Sequence, residues 1–245
     1  MTSEGLLFSA LCGTNAAFPL LGNAAFLFHF PSHAAVGYQN IEGKTGFTMM
    51  TPTFVGIGTD YDIQALKLSG AMGYGGEQIQ FVDSEGNSPE YYTWFDASMM
   101  GVSGWYDQSF VLSSRVFDSA ESFLVSNDAG NYTIDVSGQV AFDGIPAFDG
   151  VAGFTSIGNF CPISKTIQKF VLTGAMGYGG EQIQFIDEEG NSPEYYTWFD
   201  ASMMGVSGWY DPYFTMSPRE IAAGEGFMVS NDAGNYTISV PGVND

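Results

Sequence analysis

The segment from Gly70 to Phe110 returns almost unchanged as Gly174 to Phe214; only Val82/Ile186, Ser84/Glu188, Gln108/Pro212 and Ser109/Tyr213 differ between the copies. The offset of 104 residues then holds without a gap to Gly138 and Gly242. No other feature limits the fold as much as this tandem duplication. Its period exceeds the ~20–50 residues of solenoid units, so each copy must bury its own core. A chain of 245 residues has room for two such domains. The duplication also bears on function. A near-identical second active site in one chain adds little, whereas binding surfaces and building blocks gain from repetition.

Within each copy the pattern is short strands between turn signals. Glu77 to Asp83 alternates, with Ile79 and Phe81 on one face and Gln78 and Gln80 on the other. Ser84-Glu85-Gly86-Asn87 reads as a hairpin turn, and Glu90 to Phe95 as the return strand. Gln64 to Ser69 reads as an earlier strand and Phe123 to Ser126 as a later one; Tyr132, Ile134 and Val136 share a face of the last. Glycine is abundant (32) and aromatic residues reach 16%, in short runs that suit strands better than long helices. The expected fold is all-β: two tandem β-sandwich domains, jelly-roll or immunoglobulin-like, behind an N-terminal strand-forming arm. The expected division is an arm over 1–45, repeat one over 46–141, a linker over 142–152 and repeat two over 153–245.

The unduplicated arm is the most apolar part of the chain. Phe26, Phe28 and Phe30 alternate with Leu27 and His29 and give one strongly apolar strand face. Such a face needs a partner sheet, either as an added strand over repeat one or as a strand donated to a neighbouring subunit. In the second case Phe18, Leu20, Phe26, Phe28 and Phe30 are the polymer-contact residues.

Twenty-seven acids against six bases (Lys44, Lys67, Arg115, Lys165, Lys169 and Arg219) give a net charge of −21. That field repels phosphate backbones and anionic membrane surfaces, so nucleic acid is excluded as a partner. It favours hard cations, calcium first. Asp83, Glu85 and Asn87, repeated as Asp187, Glu189 and Asn191, are oxygen ligands at i, i+2 and i+4. Gly86 falls early for an EF-hand and Trp94 stands at the twelfth position, so the alternative is an acidic hairpin turn.

Chemistry at a nucleophile is poorly supplied. The two histidines, His29 and His33, both lie in the arm and no G-x-S-x-G occurs, so the chain is read as not an enzyme. Cys12 and Cys161 form no metal motif; they are either a disulfide pair or two buried thiols. The aromatic cluster Tyr92, Trp94 and Trp105, repeated as Tyr196, Trp198 and Trp209, is either packing or a platform on which sugars stack. No apolar run is long enough for a transmembrane helix, and the first residues lack a basic leader. Low lysine with abundant Gly, Tyr, Asn and Thr gives the chain an extracellular character.

An alternating QIQF strand, a YYTWF strand, a Gly-Trp-aromatic step and the closing stretch Gly224 to Gly242 (GEGFMVSNDAGNYTISVPG) follow one another in this order. The arrangement resembles a β-sandwich repeat of exported proteins of verrucomicrobia-like and related bacteria, and covers most of each copy. Repeat one departs from it at Ala120-Glu121-Ser122-Phe123. The resemblance implies a surface or extracellular role and brings no catalytic residue.

These readings converge on a structural subunit of an extracellular filament, sheath or surface layer, a homopolymer assembled head to tail with the arm adding a strand to its neighbour. The alternative is a glycan-binding or adhesive surface module, in which duplication raises avidity and calcium takes part.

Overall fold

A computed structural model describes residues 36–245, apart from 55–60, 71–73, 129, 141, 175–177 and 233. The arm residues Phe18, Leu20, Phe26, Phe28 and Phe30, and Cys12, lie outside the described residues. The molecule is all-β, built twice over. In the first half β1 (Val36–Gly43) and β2 (Gly46–Met50) precede β3 (Tyr61–Asp62), β4 (Lys67–Ser69) and β5 (Tyr74–Phe81). Then come β6 (Glu90–Phe95), the one-turn helix α1 (Ala97–Met100), β7 (Gly104–Tyr106), β8 (Val116–Phe117), β9 (Phe123–Asn127) and β10 (Tyr132–Gln139). The second half opens with β11 (Ile145–Gly150), β12 (Gly153–Gly158), β13 (Lys165–Thr166), β14 (Leu172–Thr173) and β15 (Tyr178–Phe185). It continues through β16 (Glu194–Phe199), α2 (Ala201–Met204), β17 (Gly208–Tyr210), β18 (Glu220–Ile221), β19 (Gly226–Asn231) and β20 (Tyr236–Val240). Among the described residues no helix is long and apolar enough to cross a membrane.

Each half pairs a five-stranded antiparallel sheet, β2-β9-β5-β6-β7 or β12-β19-β15-β16-β17, with a three-stranded one, β1-β10-β4 or β11-β20-β14. Side chains of alternating register fill the space between them. Ile79 and Phe81 of β5, Val125 of β9 and Ile134 and Val136 of β10 are buried in one cluster, and Ile183, Phe185, Val229, Ile238 and Val240 in another. Each copy therefore has its own core.

Two expected boundaries move. Residues 142–152, expected as a linker, contain β11, which pairs with β20 as the edge strand of repeat two. Residues 36–43, expected as the end of the arm, are β1, which pairs along its whole length with β10. The two strands occupy the same place in their sheets, but at an offset of 107 residues, because repeat one is three residues longer in the segment that follows β2. Gly43-x-x-Gly46-Phe47-Thr48 and Gly150-x-x-Gly153-Phe154-Thr155 carry the match. A Cβ on Gly43 or Gly150 would lie about 2 Å from the ring of Tyr132 or Tyr236, which fixes both positions as glycine. Of Gln64–Ser69, expected as one strand, only Lys67–Ser69 is strand; Ile63–Ala65 is a 3-10 turn capped by Asp62.

Candidate functional site

The two halves meet in a reciprocal junction. Phe47 N donates to Glu188 O, and its counterpart Phe154 N donates to Ser84 O, both at 3.0 Å. Thr51 N donates to Gly224 O, and Gly158 N to Ala120 O, again both at 3.0 Å. Met50 bridges Glu225 as Ile157 bridges Glu121. These three contacts are each made twice with the partners exchanged, the signature of an isologous, two-fold-related interface inside one chain. Each β5–β6 or β15–β16 hairpin tip docks by a main-chain carbonyl. Ser84 and Glu188 can therefore differ without altering the contact.

The glycines of the junction show how close the approach is. A Cβ on Gly46 would sit 2.1 Å from Glu188 O and one on Gly153 2.0 Å from Ser84 O. The rings of Phe154 and Phe47 lie over Gly86 and Gly190 of the opposing hairpins. At one corner of the junction Ala120 of repeat one reaches into the core of repeat two. A cavity of about 200 Å³ lies there too, between Phe81, Glu121, Phe148 and Phe154.

The hairpin carboxylates are engaged in building the turn. Asp83 Oδ1 accepts the N–H groups of Glu85 (2.9 Å) and Asn87 (2.8 Å), and Asp187 does the same for Glu189 (3.1 Å) and Asn191 (2.7 Å). These hydrogen bonds build a tight acidic hairpin turn in each half. Among the described residues no group of three or more His, Cys, Asp or Glu side chains is placed to hold a metal ion.

The tryptophans of the expected aromatic platform are not on the surface. Trp105 and Trp209 are 0% exposed, and Trp94 and Trp198 are buried against them with ring centroids 5.2 Å apart. The indole Trp105 Nε1 donates to Leu66 O at 2.9 Å, so even its polar edge is committed to the fold. Tyr92 and Tyr196 are half-buried and donate to Glu90 and Glu194 at 2.7 and 2.8 Å. Those glutamates also bind Arg115 and Arg219, which lie 4.5 Å over the rings of Phe81 and Phe185. Alternation predicts that half of each YYTWF strand faces the core, and the tryptophans belong to that half. Cys161 is a buried free thiol whose pKa is raised by desolvation; the pairing with Cys12 concerns a residue outside those described.

The residues that do face solvent were not singled out by sequence reasoning. At the β7 edge of each five-stranded sheet the helix and the following loop form an apolar tip: Met99, Val102, Phe110, Val111 and Leu112 in one half, Met203, Val206, Tyr213, Phe214 and Met216 in the other. Phe110 packs one side of its ring on Phe95, with centroids 5.9 Å apart, yet remains 64% exposed; Phe214 is 63% exposed on Phe199. Tyr74 and Tyr178 flank the tips as the cross-strand partners of Phe95 and Phe199. The signal available in the sequence was the loop 107–112, which is apolar where its turn geometry asks for glycine.

Compared with known proteins, the chain matches no family model, no curated protein and no solved structure.

Proposed function

We propose that the chain is a structural subunit of an extracellular filament, sheath or surface layer built from copies of itself, without catalytic activity. The reciprocal junction is the observation that supports this reading. Main-chain hydrogen bonds tie the two domains together on both sides of a two-fold contact, so their outer surfaces are held in one fixed relation. That is what a building block requires, and it explains why duplicating a surface was useful.

The junction also revises how such a polymer would grow. An isologous contact consumes the same patch on both domains, so repeating it head to tail adds no further chain. Growth must use a second contact on the outer surfaces. The apolar arm is proposed to lock that contact by adding a strand to a neighbour, where β1 and β4, the outer strands of the three-stranded sheet, offer edges.

Negative-stain electron microscopy of the purified chain tests the proposal: filaments or sheets are expected at high protein concentration. Particles that stay at the 26.3 kDa of one chain at every concentration would sink it. Deletion of residues 1–35 is expected to shorten or abolish the polymer, and polymer unchanged by the deletion would remove the arm from the account.

A further inference from the structure

The same five-residue turn occurs four times among the described residues. In each, an aspartate carboxylate accepts the N–H groups two and four residues on, and its main-chain oxygen accepts the N–H three residues on. The turns start at Asp83, Asp107, Asp187 and Asp211. The fourth residue is left-handed in all of them. In the two hairpins that residue is Gly86 or Gly190, with φ of 84° in both. In the two tips it is Phe110, at φ 59°, or Phe214, at φ 60°. A bulky residue in this region is strained, and glycine would relieve the strain. Strain kept at an exposed position marks a side chain with a use there. The loops flanking it have drifted apart: Gln108-Ser109 against Pro212-Tyr213, Val111-Leu112 against Thr215-Met216. Only the phenylalanine is common to both.

The tips are also poor in charge. The chain carries −21 overall, yet 97–114 and 201–218 contain one acid each up to the arginines that follow, Asp107 and Asp211. Both carboxylates are spent on their turns. Each tip thus brings a single carboxylate of its own, hydrogen-bonded into its turn, so two copies meeting there set few like charges face to face.

We infer that the tips are self-complementary contact surfaces, each pairing with a tip of a second copy of the chain through Phe110 or Phe214. This deepens the homopolymer reading and rests on it. With the internal junction it gives each chain two outward isologous contacts, at β7 and at β17, and two alternating isologous contacts generate an open array. An exposed aromatic offers roughly half of the ~150–250 Å² that it can bury, so the two or three aromatics of a tip supply about 150–375 Å² and its Met, Val and Leu side chains a smaller share each. That falls short of the ~800 Å² per partner of a standard stable interface. A single tip contact is therefore weak, and the array is held by having two per chain.

Phe110→Gly and Phe214→Gly test this in the full chain by sedimentation velocity over a concentration series at low and high sodium chloride. Glycine fits the left-handed turn, so both variants should fold, as circular dichroism and the melting point will verify. The wild type should form large species, more so at high salt as repulsion is screened, and chelator should change nothing. Each single variant should stop at dimers through its remaining tip, and the double variant should be monomeric. A double variant that assembles like the wild type would overturn the tip contact while leaving the homopolymer reading intact. Single variants that fall to monomers would overturn self-pairing in favour of unlike tips meeting. A wild-type chain that remains monomeric throughout would overturn both.

Discussion

Ala120 and Gly224 occupy equivalent corners of the junction, and the pair shows what one methyl group does there. Both have left-handed backbones, at φ 67° and 77°. Ala120 bears that cost with its methyl buried in the core of the other domain. A Cβ on Gly224 would instead lie 2.9 Å from Ile41 Cδ1 and 3.3 Å from Thr53 Cγ2. Relieving the left-handed strain is worth roughly 1–2 kcal/mol, and losing a buried methyl costs about 0.8 kcal/mol. Ala120→Gly is therefore expected to leave stability within about 1 kcal/mol of the wild type. Gly224→Ala adds strain and crowding together and should destabilise by roughly 2 kcal/mol or more. Urea denaturation of both variants measures the contrast; equal losses would mean that the two corners are packed alike.

At the scale of elements, the hairpins, the QIQF and YYTWF strands and the last strand of each domain were legible because period-2 alternation and turn chemistry are local. The same alternation says that half of each YYTWF strand is core but not which half, and only the pairing of Trp94 with Trp105 across β6 and β7 puts the tryptophans on the buried face. What stayed hidden was relational. Strand β11 shares almost no residues with β1, and its equivalence emerges only when both are seen against β20 and β10. The tips were harder to read for a different reason: the sequence shows an apolar loop at 107–112, but only the backbone shows that its phenylalanine is left-handed.

Gln64, named only as the start of a strand, turns out to protect one. Its amide accepts from Trp105 N (3.1 Å) and donates to Trp105 O (2.8 Å) and Ser113 O (2.9 Å), standing in for a neighbouring strand along the β7 edge. Gln168 does the same for Trp209. Gln64→Ala leaves a buried N–H and carbonyl groups short of partners and should cost about 2–3 kcal/mol, read by urea denaturation; a loss below about 0.5 kcal/mol would mean that water replaces the amide. Opened edges also invite pairing between molecules.

The single-turn helices carry a pH signature. Asp96 and Asp200 are held below the ordinary carboxylate value, chiefly by the hydroxyls of Ser98 and Ser202 and then by the N–H groups they cap. A depressed pKa contributes stability that is complete above the unfolded value near 3.8 and is lost as pH falls through the lower folded value. Asp96→Asn with Asp200→Asn should accordingly flatten the decline of the urea midpoint below that pH. An unchanged slope would assign the acid sensitivity to other carboxylates.

The molecule as a whole is a dimer written into one chain, and its junction should behave as one cooperative object. Gly46 and Gly153 are the test, because each lies against a main-chain carbonyl that cannot rotate away. Both have φ of 91°, so alanine at either adds backbone strain of roughly 1–2 kcal/mol before any clash. Gly101, with φ of 81° and nothing within 4 Å of an added Cβ, reports that strain alone. Gly46→Ala and Gly153→Ala should each exceed the Gly101→Ala loss by on the order of 1–2 kcal/mol, since each also breaks the adjoining hydrogen bond and lifts a hairpin off its seat. The reciprocal geometry then decides how the two losses combine. If one broken half lets the domains separate, the second substitution meets a junction already open. The double variant should then cost less than the sum of the singles by more than the ~0.5 kcal/mol scatter of independent sites. Its calorimetric transition should also divide into two, one for each core. Additive losses with a single transition would mean that the halves of the junction act independently and that the rigid pairing on which the polymer reading depends is not what holds the domains together.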